Sequence, residues 1–283
     1  MEIYNTGKVI FIGGGTGDPD LITMKAVNYL RLADVVLTDR LVSEEILQRY
    51  VMPNTRIIEV GKQCKRGVST PQDSINSMLV NYGLQNKLVV RLKGGDVSIF
   101  SNILDELESL VEHNIPYEIV PGITAGLGAA AYGGIPLTAR GYSTAVRFLT
   151  YYNSNILPDN VWKDLATTDD TLVFYMSSAT FGQLADKLVQ NGIDLGKKIA
   201  VIEQATTPYQ QIFIEELDKC AKAWKDKDFI SPSLVIVGKV VALHEKFAWF
   251  KSENPDREDY FKPLTAVIES INQYPNKLHV GRA

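Results

Sequence analysis

Short apolar runs rich in valine, isoleucine and leucine alternate along the chain with stretches in which apolar residues recur every three or four positions. That alternation is the pattern of buried strands and amphipathic helices. In the first half it predicts strands at Lys8 to Ile12, Val35 to Thr38, Arg56 to Val60, Leu88 to Leu92 and Tyr117 to Val120. Between and after them it predicts helices at Leu21 to Leu32, Glu44 to Tyr50, Gln72 to Tyr82, Ile103 to Glu112 and Ala125 to Tyr132. Strands that alternate with helices require crossover connections and give a mostly parallel sheet.

The pattern changes at "GGIPLTARGYSTAVRFLTYY", Gly133 to Tyr152, and then resumes with longer strands. Strands are predicted at Val146 to Thr150, Thr171 to Tyr175, Lys198 to Glu203, Gln211 to Glu215 and Ser233 to Val237, with helices at Thr180 to Gln190 and Leu217 to Trp224. The expected organisation is two α/β domains: residues 1–140 with the glycine-rich loops and a mostly parallel sheet, 141–250 as a mixed α/β domain, and a polar tail at 251–283. The linker is expected near Ala139 to Tyr142, and one helical stretch in the tail at Leu264 to Asn272.

Composition narrows the class. A chain of 283 residues with 45% hydrophobic and 22% charged residues fits a globular protein with a substantial core. No apolar run approaches the roughly 18 residues of a membrane helix, and "MEIYNTGK" lacks the apolar segment of a signal peptide. A cytoplasmic protein is therefore expected. Two cysteines and three scattered histidines suit neither a disulfide framework nor a metal cluster. A net charge of −4 argues against nucleic acid as the main partner, though not against a local cationic patch for an anionic small molecule.

The stretch "FIGGGTGDPD", Phe11 to Asp20, has the look of a phosphate loop, but its spacing fails. After Gly13 and Gly15 the third position of the dinucleotide fingerprint is Asp18, and the frame set by Gly15 and Gly17 ends on Asp20. No Gly-Lys pair stands in the Walker frame, and Asp18 would repel a phosphate. The reading is a glycine-built turn that lets something neutral or cationic approach the backbone. Comparable clusters follow the later strands: "DRL" at Asp39 to Leu41, "GKQ" at Gly61 to Gln63, "KGGD" at Lys93 to Asp96 and "PGIT" at Pro121 to Thr124. In a parallel sheet these loops share one rim, where ligands of open α/β sheets bind.

The stretches "GTGDPDLITMKAVNYLRLADVVLTDRLVS", "STPQDSIN", "VVRLKGGDVSIF", "VPGITA" and "GIPLTARG" resemble the tetrapyrrole methyltransferases, and within them the branch that C-methylates uroporphyrinogen III. The likeness runs from about Lys8 to Phe250 and includes "TLVFYMSSAT" and "IEQATTPYQQ". It implies two α/β domains with S-adenosylmethionine in the cleft between them, S-adenosylhomocysteine as product, no metal, and a homodimer. The matching positions imply cofactor contacts from Thr16, Gly94, Gly95, Asp96, Ile99, Thr124, Ala125, Met176 and Ala205. Asp39 and Lys62 match the family's acid/base positions.

The chemistry calls for such groups: a pyrrole carbon attacks a sulfonium methyl, the ring becomes cationic, and a bridge carbon must lose a proton to a carboxylate. A polycarboxylate substrate also needs cations, for which Arg40 and Arg140 are candidates, with Lys62, Lys65, Arg66 and Arg147. The chain departs from the family pattern at Thr16, Thr38, Gln63, Val97 and the residues after it, and Ala139, more on the substrate side than the cofactor side. The implied activity is C-methylation of uroporphyrinogen III to precorrin-2, for sirohaem or cobalamin. Methylation of a later precorrin and a non-catalytic S-adenosylmethionine-binding protein remain the alternatives.

Overall fold

A computed structural model of the chain describes residues 7–63, 68–152, 157–177, 180–252 and 258–261, with the backbone alone for residues 62, 63, 68 and 69. The expected tail helix at Leu264 to Asn272 lies outside these residues. The chain forms two compact units, one built on the residues through Gly14 and on Ile22–Gly122, the other on Gly15–Leu21 and Ile123–Tyr260.

In the first unit the strands are β1 (Lys8–Gly13), β2 (Val35–Thr38), β3 (Arg56–Glu59), β4 (Lys62–Gln63), β5 (Val68–Ser69), β6 (Leu88–Lys93) and β7 (Tyr117–Val120). The helices are α1 (Met24–Leu32), α2 (Glu44–Tyr50), α3 (Gln72–Leu84) and α4 (Leu104–Glu112). Five strands make a fully parallel sheet in the order β3-β2-β6-β1-β7, while β4 and β5 pair as a separate antiparallel ribbon.

Successive strand residues face opposite sides of this sheet. Val9, Phe11, Leu37 and Val89 pack with Ile75 and Leu79 of α3 and Leu110 of α4. Ile10, Ile12, Val36, Val90 and Leu92 pack with Ala26 and Leu30 of α1 and Ile46 of α2. Helix cover on both faces is what makes these strands continuous apolar runs rather than alternating ones. Helix α1 begins at Met24, three residues later than its pattern suggests, because the Thr23 side chain accepts from Ala26 N (3.3 Å) and Pro19–Leu21 forms a separate 3-10 turn.

The second unit contains α5 (Ala125–Tyr132), β8 (Val146–Thr150), α6 (Asp159–Thr167), β9 (Thr171–Tyr175), α7 (Phe181–Gln190), β10 (Lys198–Glu203), β11 (Gln211–Glu216), α8 (Leu217–Ala223), β12 (Ser233–Gly238) and α9 (His244–Phe247). Its sheet runs β11-β10-β12-β9-β8, and β8 with β9 is its one parallel pair. One face is covered by α6, α7 and α8 through Trp162, Leu184 and Cys220, and the other carries Ala129 and Ala130 of α5 against Val173, Ile202 and Ile236. Helix α6 was not legible in the apolar pattern, since it buries only Trp162, Leu165 and Ala166 in a polar stretch.

Candidate functional site

Parallel pairing brings the C-terminal ends of β1, β2, β6 and β7 to one edge of the first sheet, and three of the loops leaving that edge meet through glycine. A Cβ on Gly122 would lie 2.4 Å from the carbonyl oxygens of both Gly13 and Gly95, and one on Gly13 would lie 2.6 Å from Gly122 N and Gly95 O. The glycine that ends β1 is thus set by backbone packed on backbone. Gly95 itself has φ +70°, a conformation glycine adopts without steric cost. Gly94 is held against Leu41, whose carbonyl oxygen a Cβ there would meet at 2.8 Å. Asp96 ties the junction together: Oδ1 accepts from Ser98 N and Oδ2 from Gly122 N, both at 2.8 Å. Its observed bonds therefore build the turn, where the sequence suggested a carboxylate aimed at a ligand. Ile99 follows half-buried, its N–H directed at Asp96 O (3.4 Å).

Asp39 follows β2, its N–H bonded to Leu92 O (3.0 Å) and its carbonyl accepting from Val42 N (3.1 Å). Arg91 Nη2 donates to Asp39 Oδ1 at 2.7 Å, and Arg91 Nε to Glu106 Oε1 at 3.2 Å. Lys93 Nζ lies 3.8 Å from Asp39 Oδ2 and 3.5 Å from Glu106 Oε1. Arg91 and Glu106 are only 2% and 1% exposed, against 24% for Asp39. Two cations and two carboxylates thus balance in a nearly closed space. Burial opposes charge on Arg91, but Asp39 and Glu106 outweigh it and hold the guanidinium above its usual range. For Lys93 burial and the neighbouring Arg91 prevail, and its ammonium falls below the usual lysine range.

In the second unit the loop Gly15–Leu21 is held by side chains far away in sequence. Thr16 Oγ1 pairs with Thr206 Oγ1 at 2.9 Å, and Asp18 N donates to the same Thr206 oxygen at 3.1 Å. Tyr132 OH donates to Asp18 Oδ2 at 2.6 Å. Thr206 (φ 65°) and Gln204 (φ 47°) flank Ala205 in left-handed backbone, which for a β-branched threonine is an outlier. Thr124 immediately precedes α5, which begins at Ala125, and its hydroxyl pairs with Tyr175 OH (2.7 Å), which also accepts from Gly126 N (2.9 Å). Met176 follows β9 at φ 57°, its apolar side chain 54% exposed.

Burial, and then the bond to Asp18, push the Tyr132 hydroxyl up to about 12. Because its proton is held more tightly folded than unfolded, the bond's contribution is complete below about pH 10 and disappears as pH rises through about 12. We expect Tyr132→Phe to lower stability by about 1–2 kcal/mol at neutral pH, with the gap to the parent closing in alkali. Urea unfolding at pH 7 and pH 11.5 measures both; equal gaps at the two values would separate the effect from this hydrogen bond.

The remaining candidates are dispersed. Arg40 is partly buried beside Asp39, and Arg140 is exposed in a turn where Ala139 N donates to Ser143 O (3.0 Å). Arg147 is engaged by Asp170 and Asp164. Lys62 lies in β4 with its side chain outside the description, and Cys64, Lys65 and Arg66 lie outside the described residues altogether. Tyr151 is core, edge-on to Trp162, while Tyr152 is exposed. Among the described residues no group of three or more His, Cys, Asp or Glu side chains could hold a metal, and no helix is long and apolar enough to cross a membrane.

Arg91 and Glu106 were not singled out from the sequence, and Lys93 only as the first residue of "KGGD". The signal was present: two cations at alternate positions of the otherwise apolar "VVRLK" share one face of a buried strand and need carboxylate partners.

Residues 8–221 match the family described as Tetrapyrrole (Corrin/Porphyrin) Methylases. A siroheme synthase of Pseudomonas fluorescens (strain SBW25) is 43% identical over 248 residues, which are 88% of this chain and 53% of that protein. The chain spans about half the length of the curated relatives it matches. The crystal structure of uroporphyrin-III-C-methyltransferase from Thermus thermophilus superposes with a TM-score of 0.71 at 30% identity, covering 87% of this chain and 98% of that one. A structure of the Thermus thermophilus uroporphyrin-III C-methyl transferase complexed with S-adenyl homocysteine matches at 31% identity and a TM-score of 0.69, covering 84% of this chain and 100% of the other.

Proposed function

Because the chain belongs to the tetrapyrrole (corrin/porphyrin) methylases, we propose that it C-methylates uroporphyrinogen III, using S-adenosylmethionine and releasing S-adenosylhomocysteine, on the route to sirohaem or cobalamin. The observation that carries this reading is the 30% identical match to a uroporphyrin-III-C-methyltransferase, which spans nearly all of that enzyme. A homodimer in the cytoplasm is the setting we propose for it.

The residues fit the cofactor. Gly94 and Gly95 leave the "KGGD" turn without side chains, and Asp96 fixes the turn's shape through backbone N–H groups. Met176 offers an exposed apolar thioether suited to an adenine face, with Thr16, Thr124, Ala125, Ala205 and Ile99 as further contacts. When bound, S-adenosylmethionine supplies an electrophilic methyl group. Asp39 accepts the proton that leaves a bridge carbon, its partly exposed carboxylate backed by the buried Arg91. Lys62, Arg40 and Arg140 meet substrate carboxylates, arginine through paired N–H donors.

Anaerobic turnover of uroporphyrinogen III with methyl-labelled cofactor tests the proposal, and the label is expected in the tetrapyrrole. S-adenosylhomocysteine should in parallel raise the melting temperature as its concentration passes Kd. A thermal shift without label transfer would leave a binding protein; neither signal would remove the reading.

A further inference from the structure

Glu106 is a buried acid to which the reaction gives no work. It stands in the first turn of α4, and its Oε1 collects three donors: Arg91 Nε at 3.2 Å, Gln72 Nε2 at 3.4 Å and Lys93 Nζ at 3.5 Å. Its Oε2 is buried and has no hydrogen-bond partner. A helix packed on a parallel sheet needs no such group, since apolar side chains of similar volume often serve stability as well as a buried ion network.

What apolar packing could not do is fix a guanidinium in rotation. Arg91 lies flat among four acceptors: Glu106 on its Nε edge, Asp39 on Nη2, and the Leu37 and Leu92 carbonyls, each 3.4 Å from Nη1. The guanidinium donors are held in one plane, so pinning Nε to Glu106 also sets the direction from which Nη2 meets Asp39.

We propose that Arg91 and Glu106 are positioning residues for Asp39: Glu106 orients the guanidinium, and the guanidinium holds the Asp39 carboxylate in one rotamer at the rim of the sheet. Lys93, opposite Asp39 Oδ2, brings the cluster to neutrality. This assignment rests on the reading of Asp39 as proton acceptor.

Two substitutions test it. Glu106→Gln keeps the shape and removes the charge that orients Arg91. Arg91→Lys keeps the charge and loses the planar fork. Each is expected to slow single-turnover methylation by about 10- to 100-fold, the effect of misplacing a reacting group by up to an ångström, with calorimetric affinity for S-adenosylhomocysteine unchanged. In an Asp39→Asn background Glu106→Gln should then slow the reaction no further, because the group it positions is already gone. Equal losses in both backgrounds would reduce Glu106 to a structural role and overturn the proposal, as would full activity in Asp39→Asn.

A second readout needs no turnover. Three-bond couplings in aspartate-labelled protein should show one χ1 rotamer for Asp39 in the parent and rotamer averaging in Arg91→Lys. Averaging in a protein that leaves uroporphyrinogen III untouched would keep the positioning role and remove the substrate reading. An unchanged single rotamer would overturn the proposal whatever the activity. If Arg91→Lys does not fold, the rotamer in Glu106→Gln decides in its place.

Discussion

Replacing Gly122 with valine is expected to lower the stability of the protein by about 3 kcal/mol or more, the upper end of what overpacking a filled site costs. The first added carbon would stand 2.4 Å from the carbonyl oxygens of Gly13 and Gly95. Both obstacles are backbone, one at the end of β1 and one in the loop leaving β6, so neither can swing aside as a side-chain tip would. Accommodation requires moving one of the loops, and the Gly122 N–H bond to Asp96 Oδ2 (2.8 Å) moves with it. Binding of S-adenosylhomocysteine should therefore fail together with the melting temperature. A variant that melts within about 1 kcal/mol of the parent would show that the three loops have room the structure does not give them.

Asp39→Asn should do the opposite, leaving the fold and cofactor affinity near those of the parent while methyl transfer slows. General base catalysis is typically worth about 10² to 10⁴ in rate. Asparagine retains the size of the group and can still accept from Arg91, but it cannot take a proton at neutral pH. Water can replace part of the function, so at least about a tenfold loss is expected in single turnover, where product release does not mask chemistry. Undiminished single-turnover methylation would remove Asp39 from the mechanism and leave Lys62 or another group to move the proton.

Elements of both units were legible where their signals are local. Strands β2 and β7 and helix α2 of the first unit, and α5, β8, β9 and β10 of the second, have the bounds the apolar pattern predicts, and parallel pairing in the first sheet follows from strand and helix alternation. From that alone the rim of loops carrying Asp39 and Gly94 to Asp96 could be placed. What could not be read is which groups meet across long sequence distances. Arg91 and Asp39 are 52 residues apart, and nothing in "TDRL" announces a guanidinium beneath it. The glycines after β1 suggested room for a ligand, whereas Gly13 accommodates other backbone. An absent side chain leaves the same mark on a sequence for either reason.

The clasp on the loop Gly15–Leu21 bears on how the chain is made. Thr16 and its partner Thr206 are 190 residues apart. At about 5–20 residues per second, a ribosome delivers the second hydroxyl roughly 10–40 s after the first. Once Val120 has been translated the strands of the first sheet can pair, yet the loop that follows β1 gains Tyr132 only after that and Thr206 later still. Its order is conferred last, by residues translated after the whole first sheet, so a nascent chain stalled before Thr206 carries an assembled sheet and an unclasped loop.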